Sequence, residues 1–376
     1  PGVNNLNSHV PMRVLLLSNS LGIGGAERLV VSLADQLAAR GHTVMVVSMT
    51  GPSLFLPSNP HIEVVALHMH KTLRGLLGGY LAMRRLLRRF QPDVLHSHMV
   101  HANLLARLLR LTVAMPRLIC TAHNTNEGGR LRMLAYRVTD ALADISTNVS
   151  HEAVAAFEQK GAVPRGRMLA VMNGIDCAEF FSDAQSRLEI RQSLEIDASA
   201  QVFIAVGRLT EAKDYPNLLQ AFMRVSAERA EARLWIVGDG PLRGALEALA
   251  NSLGLAGRVR FLGIRRDVPA LLRGADIFVL SSAWEGFCLA AAEAMATRLP
   301  VVVTDSGGVR EAVGDCGYLV PPRDVDALVE GMLEVARLSP EQAQQLGLRA
   351  RQRIVEQFSL QRMVDRWLQI YTNRAL

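Results

Sequence analysis

Glu285 and Glu293 stand seven residues apart in the segment Ser281-Ser282-Ala283-Trp284-Glu285-Gly286-Phe287-Cys288-Leu289 and the alanine-rich stretch after it. The apolar run 277–280 before it reads as a strand, Gly286 as a turn and the alanines as a helix. That places Glu285 at the mouth of a strand-to-helix turn, beside the free N–H groups of Phe287, Cys288 and Leu289, a setting that holds phosphate. Glu293 lies about two turns along and can point the same way. Two carboxylates that only accept hydrogen bonds suit the hydroxyls of a sugar or ribose. A buried helix carboxylate paired with an arginine would also account for Glu293.

The stretch Gly207-Arg208-Leu209-Thr210-Glu211-Ala212-Lys213-Asp214 follows a second strand pattern at 201–206. An arginine and a lysine in one such loop form a clamp for a diphosphate. A solvated loop would explain Arg208 as well. Lys213 is harder to dismiss, because 38 of the 41 basic residues are arginine and the other lysines are Lys71 and Lys160.

In the first half, Gly22-Ile23-Gly24-Gly25-Ala26-Glu27 joins a strand to a helix, so unobstructed N–H groups point toward a phosphate or a sugar. A tight turn that merely needs glycine is the plain alternative. The loop is neither G-x-G-x-x-G nor a P-loop, which speaks against a nicotinamide cofactor and ATP. His123 ends a later strand and is either a sugar contact or a surface histidine. His96, His98 and His101 could bind a metal only without help, since no cysteine or carboxylate lies near them in sequence, and no metal is expected.

The elements that must position these groups follow from periodicity. Residues 12–18 (MRVLLLS), 42–48, 93–96, 117–121, 144–147 and 168–172 read as short buried strands, with helices between them. The pattern restarts at 201–206, 233–237, 259–262, 277–280 and 300–304. The expected fold class is therefore α/β, with two Rossmann-like doubly wound domains facing across a cleft lined by the carboxyl ends of both sheets. A boundary is expected at Asn173-Gly174-Ile175-Asp176. The first domain is expected over 1–178 and the second over 179–358, with an amphipathic helix at 359–376. At 376 residues, two domains are the default.

The composition, 49% hydrophobic and 20% charged, excludes disordered, collagen-like and disulfide-scaffold classes. No apolar run is long enough to span a bilayer. Residues 1–11 read as a polar tail ahead of Met12-Arg13. Cys120, Cys177, Cys288 and Cys316 are scattered, which fits reduced thiols and a cytoplasmic setting. Charge is uneven: residues 1–178 carry a net +8 and the remainder −2.

In order along the chain, the Gly-Gly loop, Asn173-Gly174, Gly207-Arg208 with Lys213, Val237-Gly238-Asp239-Gly240, and Glu285 with Glu293 resemble the retaining glycosyltransferases of family 4, which have the GT-B fold. The resemblance runs from about Met12 to Leu376, and it implies that the helix at 359–376 crosses back to complete the first domain. It implies that Arg208 and Lys213 hold the donor diphosphate, that Glu285 contacts donor-sugar hydroxyls and that Glu293 binds the ribose. Gly24 and Gly25 would lie against the diphosphate or the sugar, and His123 near the sugar's 6-hydroxyl. Gly238 and Gly263 would frame the base, and Asn173, Gly174, Phe287, Cys288 and Leu289 would complete the donor-binding set. Cys288 departs from the family, which usually has glycine there. A metal-independent, front-face transfer is expected, with a nucleotide-diphosphate sugar as substrate and no cofactor.

Residues 71–89 place Leu73, Leu76, Leu77, Tyr80, Leu81, Leu86 and Leu87 among Lys71, Arg74, Arg84, Arg85, Arg88 and Arg89. That composition suits an anionic membrane interface, or else a domain helix with one solvated basic face. Relatives in the family that the chain resembles often carry such a patch and glycosylate lipid-linked intermediates or lipopolysaccharide, so the resemblance implies a lipid-linked glycan or lipopolysaccharide acceptor, on the inner face of the plasma membrane. The rival readings are a GT-B-fold sugar-nucleotide epimerase or hydrolase and a basic nucleic-acid-binding protein. Five Tyr and three Trp leave the last with few stacking positions, so no nucleic acid is expected.

Overall fold

The computed structural model describes residues 10–373 apart from residues 23, 52, 71 and 126. The tail expected at 1–11 lies outside the described residues as far as position 9, as do Ile23 of the first glycine loop and Lys71. The chain forms two compact units. One holds the chain up to Asn148, Phe157–Leu169 and the residues from Val364; the other holds Val149–Ala156 and Ala170–Met363.

The first part of the chain runs β1 (Arg13–Ser18), α1 (Gly25–Ala39), β2 (Thr43–Ser48), β3 (Glu63–Ala66), α2 (Leu73–Phe90), β4 (Val94–His98) and α3 (Val100–Leu109). It continues as β5 (Leu118–Ala122), α4 (Arg130–Thr139), β6 (Ile145–Asn148), α5 (His151–Gln159) and β7 (Met168–Ala170). The seven strands form one sheet in the order β3-β2-β1-β4-β5-β6-β7. β1 pairs in parallel with both β2 and β4, Leu15 lying against Met45 on one side and Leu95 on the other. Such strands are buried on both faces, which is why MRVLLLS shows no alternation. On α1 the spacing of Leu29, Val30, Leu33 and Leu37 puts all four in the core. Gly41, at φ +85, turns the chain into β2.

The second part runs α6 (Ala184–Ser193), β8 (Gln201–Val206), α7 (Tyr215–Glu228), β9 (Ala232–Val237), α8 (Arg243–Ser252), β10 (Val259–Gly263), α9 (Val268–Gly274) and β11 (Ile277–Leu280). It ends with α10 (Leu289–Ala296), β12 (Val301–Thr304), α11 (Val309–Val313), β13 (Tyr318–Val320), α12 (Val325–Ala336), α13 (Pro340–Gln357) and α14 (Leu360–Thr372). Six parallel strands take the order β10-β9-β8-β11-β12-β13. Both sheets thus reverse direction beside their first strand, between β1 and β4 and between β8 and β11. That is the point where doubly wound sheets hold ligands.

Two strands escape the sequence reading. Glu63–Ala66 has four residues that are only half-buried or exposed, and Tyr318–Val320 has three, squeezed between Gly317 and two prolines. Neither is long enough to show a period. The change of unit at Ala170 falls before Asn173, and the residues of α14 from Val364 join the first unit. There Trp367 and Tyr371 are buried against His96.

Candidate active site

In the second unit, the loops after β8 and β11 meet. Lys213 Nζ donates to Glu285 Oε1 at 2.5 Å, and Ser282 Oγ donates to the same oxygen at 2.6 Å. Glu285 is 8% exposed. Burial works against the lysine's charge, but the Glu285 carboxylate outweighs it and holds Lys213 above the ordinary lysine range. Two further hydrogen bonds brace the loops: Ser281 Oγ to the Lys213 carbonyl at 2.8 Å and the Ala283 amide to the Ala212 carbonyl at 2.8 Å. A charge pair so held presents one cation and one carboxylate at the switch point of the sheet.

Three glycines line up at the ends of β8, β9 and β10. The Gly207 amide bonds the Val237 carbonyl and the Gly238 amide the Gly263 carbonyl. Gly238 has φ +131, and a Cβ there would come within 2.0 Å of the Gly207 carbonyl oxygen. Only glycine fits that approach, which leaves bare backbone on this edge. The Lys213 side chain lies over Gly207, where a Cβ would be 3.0 Å from Cε.

Cys288 caps α10 at φ +62, the left-handed conformation that glycine adopts most readily. The backbone therefore keeps a glycine-like course although the side chain is present. Burial, and next the charge of Glu285, push its thiol up to about 12. The charge of half-buried Glu293 acts on the same thiol, more weakly than that of Glu285. Phe287 is buried against Phe358, the ring centroids 5.4 Å apart.

The first unit carries its own polar group at the carboxyl ends of β4 and β5. His98 Nδ1 lies 3.1 Å from His123 Nε2. His96 is held by Tyr371 through Nδ1 and by Thr121 through Nε2, both at 2.7 Å. Both His96 nitrogens, His98 Nδ1 and His123 Nε2 thus have protein partners. Burial lowers the pKa of His96 and His98 well below the ordinary value, and brings His123 down to about 4. At the start of α1, Glu27 folds back on the glycine loop. A Cβ on Gly24 would lie 2.3 Å from Glu27 Oε2, and Ser20 Oγ donates to Glu27 Oε1 at 3.0 Å. A carboxylate there suits hydroxyl donors better than a diphosphate.

Two family descriptions cover most of the chain: residues 23–179 match glycosyltransferase family 4, and residues 186–353 match the glycosyl transferases group 1. The chain belongs to this family of glycosyltransferases. Its fold is GT-B, with two parallel-sheet α/β domains. Among curated relatives, it is 26% identical to N-acetyl-alpha-D-glucosaminyl L-malate synthase of Bacillus anthracis, covering 93% of this chain and 94% of that protein. It is 25% identical to a UDP-Gal:alpha-D-GlcNAc-diphosphoundecaprenol alpha-1,3-galactosyltransferase of Escherichia coli, over 81% of each chain. A solved structure of Anabaena Alr3699/HepE in complex with UDP-glucose superposes with a TM-score of 0.84 at 22% identity, covering 94% of this chain and 98% of that one.

In this glycosyltransferase the structure brings Gly207, Lys213, Glu285 and Cys288 together. Arg208 is exposed and makes no salt bridge among the described residues. Gly25 opens α1, and Leu289 opens α10. Asn173 and Gly174 belong to another neighbourhood of the same unit: a Cβ on Gly174 would come within 2.7 Å of Leu360 Cα and 2.8 Å of Met363 Cβ. That close approach to α14 accounts for the glycine. Sequence reasoning missed Ser282, Glu27 and the role of His98 beside His123. The first two are common polar residues with no spacing signal, and the third was weighed only as a metal ligand.

Proposed function

We propose that this glycosyltransferase moves a sugar, with retention and without a metal, from a nucleotide-diphosphate sugar to a hydroxyl of a lipid-linked glycan or lipopolysaccharide. UDP-sugars are the favoured donors, with GDP-sugars second. The observation that carries the donor half is the Lys213–Glu285 pair at the switch point of the second sheet. A carboxylate that accepts from sugar hydroxyls and a cation that faces phosphate are held there within one contact. Departure of the diphosphate is helped by Arg208, Lys213 and the N–H groups at the start of α10, which meet its growing negative charge. The leaving phosphate oxygen then takes the proton of the attacking hydroxyl on the same face of the sugar. The family relation and the UDP-glucose complex of a structural neighbour support a UDP-sugar.

The acceptor half rests on α2 and α4. On α2, Met83, Leu87 and Phe90 enter the core, while Leu73, at 83% exposure, and Leu76, Leu77 and Leu81 stay outside with Arg74, Arg85 and Arg88. On α4, Leu131, Leu134 and Val138 are exposed beside Arg130 and Arg137. Exposed leucines flanked by arginines favour an anionic lipid surface, and with it a lipid-linked acceptor. No helix among the described residues is long and apolar enough to cross a membrane. Calorimetric titration with UDP-, GDP- and ADP-sugars tests the donor. Saturable binding of one of them, lost in Lys213→Ala, is the expected result. Binding of none, or rapid release of free sugar with no acceptor present, would replace this reading by another or by the hydrolase alternative.

A further inference from the structure

His123 is gripped at two points in the first unit. Its backbone N–H donates to Glu127 Oε1 at 2.8 Å, and Tyr136 Oη donates to the other oxygen of that carboxylate at 2.6 Å. Asn103 ties Tyr136 to the strand ends. Its Nδ2 donates to the Tyr136 hydroxyl at 3.0 Å and to the Thr121 carbonyl at 2.9 Å, while its Oδ1 accepts from Ser97 Oγ at 2.7 Å. The second grip is on the ring, where His98 Nδ1 meets His123 Nε2. Just beyond His98, Met99 is held at φ +73 with its amide bonded to the Thr121 carbonyl at 2.9 Å. A non-glycine residue kept in that region is strained. Here the strained residue pins the end of β4 to the end of β5, which sets the spacing of the two imidazoles.

Which ring donates follows from the number of N–H groups. Burial keeps both imidazoles neutral, so each carries one proton. If His123 Nε2–H donated, the His98 proton would sit on Nε2, which is buried without a hydrogen-bond partner. An orphaned buried N–H is rarer than an unpaired acceptor. The reverse arrangement leaves no bare N–H in the interior: His98 Nδ1–H donates to His123 Nε2, and the proton of His123 stays on Nδ1. His123 is only half-buried, and no group among the described residues takes its Nδ1. The residue stands at the carboxyl ends of β4 and β5, next to the switch point of the first sheet, where such sheets hold ligands.

We propose that His98 is a positioning residue: it fixes His123 as the Nδ1–H tautomer and so makes His123 a hydrogen-bond donor to a substrate oxygen, not a proton acceptor. The inference rests on the donor reading for the identity of the substrate, whereas the tautomer is a property of the free enzyme. The oxygen belongs either to a phosphate or to a sugar hydroxyl, both of which accept from an imidazole N–H.

Long-range 1H–15N NMR of histidine-labelled protein tests it, with His123→Gln assigning the signal. Wild-type His123 is expected to be protonated on Nδ1 and bare on Nε2. His98→Asn, whose amide donates in place of Nδ1, should keep that pattern, and His98→Phe should release His123 to a mixture of tautomers. If His98→Phe does not fold, the wild-type spectrum decides. Titration with UDP and with UDP-glucose reads the ligand side: a shift of the Nδ1 signal with UDP alone assigns a phosphate oxygen, and a shift only with UDP-glucose assigns a sugar hydroxyl. Affinity for the ligand that moves the signal should fall about tenfold in His98→Phe and recover in His98→Asn. The proposal is overturned if wild-type His123 carries its proton on Nε2, if folded His98→Phe leaves the tautomer unchanged, or if UDP-glucose binds by calorimetry without moving the Nδ1 signal. Failure of both ligands to bind counts against the UDP-sugar reading alone, and the wild-type tautomer then decides this one.

Discussion

His98 Nδ1 and His123 Nε2 lie 3.1 Å apart, one imidazole donating to the other, while His98 Nε2 is buried with no hydrogen-bond partner. A second proton on the pair would set two N–H groups against each other in a dry site. Burial holds both pKa values down, His123 to about 4, and that of His96 beside them as well. Depressed histidines mean that the unfolded chain binds more protons between about 6.5 and 4, so stability rises with pH across that window and is lost as pH falls through it. Each such histidine contributes about 1.4 kcal/mol per pH unit. Glu127, raised by burial, works the other way above its ordinary value, as do the less deeply buried Glu152 and Asp214, but the histidines are shifted further. The melting temperature is therefore expected to drop steadily from pH 7 to pH 4.5. In His98→Asn, which keeps a donor near Nδ1 but removes one of the three imidazoles, the slope should be shallower. A flat profile in the wild type would refute this.

Lys213→Ala leaves Glu285 as a buried carboxylate held only by Ser282. Breaking one partner of a buried pair costs about 3–5 kcal/mol, so urea unfolding should shift accordingly and donor binding should vanish. The double variant Lys213→Met/Glu285→Gln removes both charges and should recover most of the stability without restoring turnover. Recovery of turnover would show that the pair is structural only.

The Cys288 thiol, held near 12, should resist iodoacetamide at pH 8 in the folded protein and react after unfolding. Its φ of +62 also makes substitution directional. Cys288→Gly should keep the fold and donor binding, whereas Cys288→Val should unfold about 2 kcal/mol more easily than Cys288→Gly, because a β-branched residue is strained there. Equal stability of the two variants would contradict the left-handed cap.

Gly307 has φ +66, and a Cβ on it would sit 2.0 Å from the Glu285 carbonyl oxygen. Gly307→Ala must displace the Glu285 backbone, so donor affinity should fall at least tenfold and stability with it. Gly254 has φ +71 and open space around it, so Gly254→Ala should cost only about 1 kcal/mol and spare binding. Calorimetry and urea melts on the two separate the clash from the dihedral.

Replacing Leu73, Leu76 and Leu77 by serine removes only exposed side chains. The melting temperature should stay within about 2 °C, since surface substitutions of this kind change little. Flotation with phosphatidylglycerol vesicles should fall several-fold against wild type. Undiminished flotation, or none in the wild type, would remove the membrane part of the acceptor reading.

Much of this protein was legible in its residues. Buried parallel strands are continuous apolar runs, so β1, β8 and β11 could be read almost to the residue, and the restart at 201 showed a second sheet. Gly238 sits where a Cβ would come within 2.0 Å of the Gly207 carbonyl oxygen, an approach no other residue type tolerates. The rarity of lysine singled out Lys213. Helical spacing found α14, and the family resemblance assigned it to the first unit, which its residues from Val364 join; amphipathicity alone records that a face is covered, not by what.

Pairings across long sequence separations are decided only by the folded chain. Seventy-two positions separate Lys213 from Glu285, yet they form one contact, whereas local spacing suggested a lysine free for phosphate. His98 and His123 meet because β4 and β5 are neighbours in the sheet, and Gly174 serves α14 rather than standing with the Lys213 group. Local sequence determines periodicity and backbone permissiveness. Which charges neutralise one another, and which polar atoms are left without a partner, depends on three-dimensional neighbours that no local pattern encodes.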